Sequence, residues 1–97
     1  MTRHQLASLV EIALQAASAA QEFTSAPLPP VTIGIPANTD HGDYSCNIAM
    51  QMAKAERKAP RQVAETIIRH MGNGNGLLSK VEIAGPGFIN FFVTNFF

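Results

Sequence analysis

Proline and glycine cut this chain into short lengths, and each length carries a single hydrophobic period. Three prolines fall between Ser25 and Pro30, Pro36 to Gly42 is turn-like, Ala59-Pro60 makes a break, and Gly72-Asn73-Gly74-Asn75-Gly76 forms a loose connector. A last tight turn is Gly85-Pro86-Gly87. Proline locks φ and lacks an N–H, while glycine opens positive φ, so regular elements stop at these points. Before the first cut, Leu6, Leu9, Val10, Ala13, Ala17 and Ala20 recur at helical spacing, which predicts a helix over residues 2–23. Thr2 and Gln5 have the spacing of a capping box at its start. Val31, Ile33 and Ile35 predict a strand from Val31 to Ile35, and Asp43 to Cys46 a second. Asn47 is placed to cap a helix over Ile48 to Arg57, and Pro60 to open another that runs to Met71 and stops at Gly72. Lys80 to Ile83 and Phe88 to Val93 read as the closing strands. The order α-β-β-α-β-β, its second helical part broken at Pro60, predicts an α+β fold. It is a two-layer α/β sandwich with an antiparallel-type sheet covered by helices on one face.

The chain's 97 residues make one domain, and 46% apolar content is enough for a core. Stability on the order of 5–10 kcal/mol is expected for that size. The lone Cys46 excludes an internal disulfide, and His4, His41 and His70 share no metal-ligand spacing with it. No apolar run reaches the ~18 residues of a membrane span, and the N-terminus lacks a signal-peptide layout, so a cytoplasmic protein is expected. Net charge is zero. Strong independent binding to nucleic acid is therefore disfavoured, because phosphate neutralisation dominates such affinity. A weak contact by a tethered module is not.

The last strand is the most informative. Ile89, Phe91 and Val93 share one face and suit a core, while Phe88, Asn90 and Phe92 share the other. In a two-layer fold that second face is open, with Lys80 and Glu82 on the neighbouring strand. An exposed ring stacks on an unpaired base for roughly 1–3 kcal/mol. A carboxamide beside it supplies a donor and an acceptor for a base edge, as in recognition of single-stranded RNA loops on sheets. The pattern equally allows Phe88 to pack under a loop and Asn90 to bond backbone.

Other candidates are weaker. Lys54, Arg57, Lys58, Arg61 and Arg69 gather around the break between the second and third helices, either facing phosphates or as a solvated helical surface. Gly42-Asp43-Tyr44 lacks the partner that acid–base chemistry needs. The glycine–asparagine tract lacks the Gly-Lys-Ser/Thr of a phosphate-binding loop.

Three ordered blocks resemble bacterial arginyl-tRNA synthetases: His41-Gly42-Asp43-Tyr44-Ser45-Cys46-Asn47-Ile48-Ala49-Met50, Ala59 to Glu65, and Lys80 to Phe91. The resemblance runs through nearly the whole chain. It implies that residues 1–97 are the single N-terminal tRNA-recognition domain of a longer synthetase whose catalytic and anticodon-binding domains lie elsewhere. The implied partners are tRNA(Arg), through its D-loop, and the catalytic domain of the same chain, with no membrane. Phe88 and Asn90 take the positions that engage a D-loop base in the family. Phe92, Lys54, Arg57, Lys58 and Arg61 are secondary tRNA candidates. Gly42, Asp43, Tyr44 and Asn47, with Gly85, Pro86 and Gly87, are implied to be structural. The parent enzyme would be an arginine–tRNA ligase of class I that uses ATP with magnesium. Neither its ATP signature nor any catalytic residue, metal site or cofactor site is expected in this chain. Phe96 and Phe97 are expected either to pack on the catalytic domain or to sit exposed. The alternatives from other classes are a protein-interaction or structural domain using the open sheet face, and a free-standing weak single-stranded RNA binder.

Overall fold

The computed structural model describes residues 2–24, 28–72, 74 and 76–94. The expectations for Phe96 and Phe97, and part of the glycine–asparagine connector, lie outside them. Helix α1 spans Arg3–Ala19. The Gln5 N–H donates to Thr2 Oγ1 at 3.1 Å, and the Thr2 N–H donates to Gln5 Oε1 at 2.8 Å, so the capping box forms. Leu6, Val10, Ala13, Leu14 and Ala17 are its buried stripe.

α1 is shorter than its periodicity suggests. Gln21 turns into the left-handed region at φ 64°. The Glu22 N–H then reaches the Ala17 carbonyl at 2.9 Å, and the Gln21 N–H reaches that of Ser18 at 3.0 Å, a Schellman closure. This reversal sends Phe23 into the core. Burial of a large ring is worth about 1.5–3 kcal/mol, more than the propensity gained by extending an alanine-rich helix.

The remaining elements are β1 (Ile33–Gly34), a 3-10 turn (Thr39–His41), β2 (Tyr44–Cys46), α2 (Ile48–Glu56), α3 (Pro60–Met71), β3 (Leu78–Ala84) and β4 (Phe88–Val93). Asn47 stands at the start of α2 but does not cap it. Its Oδ1 accepts from Gln51 Nε2 at 2.8 Å, because its backbone (φ −108°, ψ 19°) is not in the extended conformation usual at a cap. Pro60 opens α3 as its first residue, and Gly72 ends it at φ 61°.

The four strands form an antiparallel sheet in the order β1-β2-β4-β3. β1 pairs only through Ile33 and Gly34, so Ile35 lies past the sheet edge and is 66% exposed instead of sharing the core face. β3 starts earlier than expected, with a bulge between Leu78 and Lys80. Across the sheet, Ile33, Cys46, Ile89 and Ile83 form one row and Tyr44, Phe91 and Val81 the next. Both rows face the helices and join one core with α1, α2 and α3.

Candidate nucleic-acid interface

Alternation along β4 places Phe88, Asn90 and Phe92 on the face away from the helices. Asn90 is flanked by Ser45 on β2 and Glu82 on β3. That face is not fully open, contrary to the two-layer expectation. Asn90 is only 5% exposed, while Phe88 is 40% exposed. Asn90 lies on a central strand between two neighbours and at the floor of a concave surface. Pro36, Ala37, Asn38 and His41 stand on one side of a hollow of about 480 Å³, and Ala84, Gly85, Pro86 and Phe88 on the other. Ser45 and Asn90 line it from the sheet. Among the described residues the Asn90 carboxamide makes no hydrogen bond, so its donor and acceptor remain available to whatever enters.

Short-range chemistry builds the loop wall. The Asp40 N–H donates to Asn38 Oδ1 at 2.9 Å and the His41 N–H to the Asn38 carbonyl at 3.0 Å, an Asx-type turn. Gly42 then passes against β4 with φ 99°, and a Cβ there would lie 2.7 Å from the Phe91 carbonyl oxygen. The Asp43 N–H donates to that oxygen at 2.8 Å, and Asp43 Oδ2 accepts the Val93 N–H at 2.9 Å. Asp43 thus extends the β2–β4 ladder beyond Tyr44, which packs against the core. The opposite wall is the turn between β3 and β4. Gly87 lies there at φ 151°, so close to α3 that a Cβ would come within 2.6 Å of Pro60 Cβ.

Phe92 stays apart from this hollow. Lys80 Nζ sits 4.4 Å from the centre of its ring and pairs with Glu82 at 2.9 Å. The ring is thereby occupied by a cation–π contact.

The cations around the α2–α3 junction have divided tasks. Lys58 Nζ donates to the Glu22 carbonyl at 2.9 Å and lies 5.9 Å from the Phe23 ring. Arg69 pairs with Glu22 at 2.5 Å, and His70 bonds the other oxygen of the same carboxylate. The His70 hydrogen bond, opposed by desolvation and helped by the charges of Arg69, His70 and Lys58, holds the Glu22 carboxyl below its ordinary 4.5. Arg61 Nη1 donates to the Gly85 carbonyl at 2.8 Å. Among the described residues, Lys54 and Arg57 have no acidic partner. Also among them, no three His, Cys, Asp or Glu side chains converge as metal ligands, and no helix is long and apolar enough to cross a membrane.

The family model described as the arginyl tRNA synthetase N terminal domain matches residues 4–93. The chain belongs to that family. An arginine–tRNA ligase of Syntrophotalea carbinolica is 49% identical over 92 residues, which is 95% of this chain and 17% of the relative. One from Geobacter metallireducens is 46% identical over 94 residues, 96% of this chain and 17% of that protein. One from Listeria monocytogenes is 47% identical over 87 residues, 90% and 16% respectively. The chain therefore spans about a sixth of the length of these arginine–tRNA ligases. In structure it is similar to arginyl-tRNA synthetase from Plasmodium falciparum, with TM-score 0.77 and 16% identity over 95% of this chain and 16% of that one. That likeness bears on the fold alone.

Sequence reasoning put Phe88 and Asn90 on one strand face but did not foresee the hollow they share with Pro36, Ala37, Asn38 and His41. The available signal was the Asn38-Thr39-Asp40 turn ahead of Gly42, which reverses the chain beside β4.

Proposed function

We propose that this chain is the tRNA-recognition domain, residues 1–97, of an arginine–tRNA ligase and contacts the D-loop of tRNA(Arg). The observation that carries this reading is a half-exposed aromatic ring beside a carboxamide that makes no hydrogen bond among the described residues, in one hollow. Phe88 stacks on an unpaired D-loop base, and Asn90 reads its edge with one donor and one acceptor. Phe88 has no hydroxyl, so discrimination falls to the amide. Lys54 and Arg57, whose charges no carboxylate offsets among the described residues, attract the RNA backbone. The chemistry of the parent enzyme, joining arginine to tRNA with ATP and magnesium, belongs to a catalytic domain of the same chain. Tethering to that domain supplies a high effective concentration of tRNA. A weak contact then suffices, which agrees with a net charge of zero.

An NMR titration with tRNA(Arg), beside the same tRNA with an altered D-loop, tests this reading. Shifts concentrated from Gly87 to Phe92 and lost with the altered loop are expected. Shifts confined to residues 54–69 would reduce the contact to general phosphate attraction and remove Phe88 and Asn90 from it.

A further inference from the structure

The turn that carries Phe88 is weakly closed by its own atoms. Gly85 and Gly87 both have positive φ, at 55° and 151°. The bond that closes the turn, from the Gly87 N–H to the Ala84 carbonyl, is 3.3 Å long, beyond the usual ~2.7–3.2 Å of such bonds. Glycine adds backbone freedom to such a turn and takes none away. Left to itself, this segment would sample several conformations and carry the Phe88 ring with it.

Two contacts from α3 supply the missing constraint. Pro60 packs directly on the Gly87 backbone, where a Cβ would meet it at 2.6 Å. Arg61 Nη1 holds the Gly85 carbonyl at 2.8 Å across a sequence separation of 24 residues. Gly85 stands three residues before the ring in the same turn, and a Cβ added to it would come 4.0 Å from Phe88 Cδ2, so the space between that backbone and the ring is about one methyl group wide. The guanidinium thus fixes the carbonyl of the turn whose next strand residue is Phe88. A charged donor to a carbonyl is among the stronger hydrogen bonds, and the planar guanidinium gives it a fixed direction.

We propose that Arg61 is a positioning residue for the Phe88 site: its hydrogen bond to Gly85 fixes the β3–β4 turn and so presents the ring, in place of a contact with an RNA phosphate. This inference rests on the D-loop reading above. It moves Arg61 out of the group of phosphate-steering cations and gives it a different experimental signature. Binding through a pre-set ring avoids the cost of ordering the turn when RNA arrives, so losing Arg61 weakens binding without removing any ionic contact.

The test measures tRNA(Arg) affinity over a salt series for the wild type, Arg61→Ala, Phe88→Ala and the double variant. Thermal melts and amide spectra establish that each is folded. Arg61→Ala is expected to weaken binding about fivefold while the slope of log K against log salt stays that of the wild type. In the Phe88→Ala background the same change is expected to cost almost nothing, because no ring remains to be positioned. Without RNA, Arg61→Ala should also shift the amides of Gly85, Gly87 and Phe88 and speed hydrogen exchange at Gly87. A slope reduced by about 0.7–0.9, the loss of one phosphate contact, would overturn the proposal. So would full additivity with Phe88→Ala. If Phe88→Ala weakens binding and Arg61→Ala does not, the positioning role alone falls. If Phe88→Ala leaves binding unchanged, the D-loop reading itself falls, and the role of Arg61 in it falls too.

Discussion

Replacing Gly42 with alanine should damage this fold severely, and its cost can be worked from two separate sources. The first is conformational. Gly42 has φ 99°, a region that costs a side-chain-bearing residue on the order of 1–2 kcal/mol. The second is steric. The new Cβ would lie 2.7 Å from the Phe91 carbonyl oxygen and 3.2 Å from its carbon, and these are backbone atoms of a central strand. Relief requires the loop to lift off β4. That lengthens the bond from the Asp43 N–H to Phe91 and the bond from the Val93 N–H to Asp43, each worth about 1 kcal/mol. The expected total is about 3–4 kcal/mol, a large part of the ~5–10 kcal/mol available to a domain of this size. Gly72 is the control. It has φ 61°, and a Cβ added there would meet nothing within 4 Å, so Gly72→Ala carries the conformational cost alone. Urea unfolding followed by circular dichroism should give Gly42→Ala a loss about 2 kcal/mol larger than Gly72→Ala, with a Tm lower by roughly 8–16 °C. Equal losses for the two variants would refute the steric half of this reasoning. A change under about 1 kcal/mol at Gly42 would refute all of it.

Three further outcomes are expected. Asn90→Ala should change stability by less than about 1 kcal/mol, since no internal hydrogen bond of its carboxamide is lost among the described residues, yet weaken tRNA(Arg) binding about tenfold by calorimetry; a large fall in Tm would mean that the amide is structural. Glu22→Gln should lower Tm at neutral pH, where the ionised carboxylate bonds His70 and Arg69. Because the folded-state value of Glu22 is depressed, its contribution is present above the ordinary 4.5 and fades as pH falls through the lower folded value. Melts of the two proteins should therefore converge in acid, and a gap that widens there would contradict the assignment. Cys46 is buried, and desolvation raises its thiol above the ordinary 9.0, against a smaller opposing effect of the Ile48 backbone. Iodoacetamide at about pH 8 should label it only as urea unfolds the chain; prompt labelling of the folded protein would show that the short β1 strand beside it opens readily.

Phe88 and Asn90 illustrate how legible the site was. Their common face follows from the two-residue period of a strand, which any sequence displays directly. Their unequal exposure does not, because the hollow in which Asn90 is sunk is lined also by a loop some 50 residues earlier in the chain. Phe92 shares their face and still lies outside the hollow, since its cross-strand neighbour Lys80 takes its ring. The basic cluster around the helix break was visible as composition. Its division into Lys58 and Arg69 anchored to the end of α1, Arg61 anchored to a turn, and Lys54 with Arg57 lacking an acidic partner among the described residues required coordinates.

By itself the sequence determined the order of the elements, the start of α1 at Thr2 and of α3 at Pro60, and the core side of β4. Each follows from interactions within about four residues or from the fixed geometry of proline and glycine. Only the tertiary structure decided the strand order β1-β2-β4-β3, the early end of α1 and the hollow that Asn90 shares with Pro36, Ala37, Asn38 and His41. Those features set burial and hydrogen bonding between distant segments against one another. Local propensities of a few tenths of a kcal/mol per residue yield to a buried ring or a paired backbone, worth about 1 kcal/mol or more each.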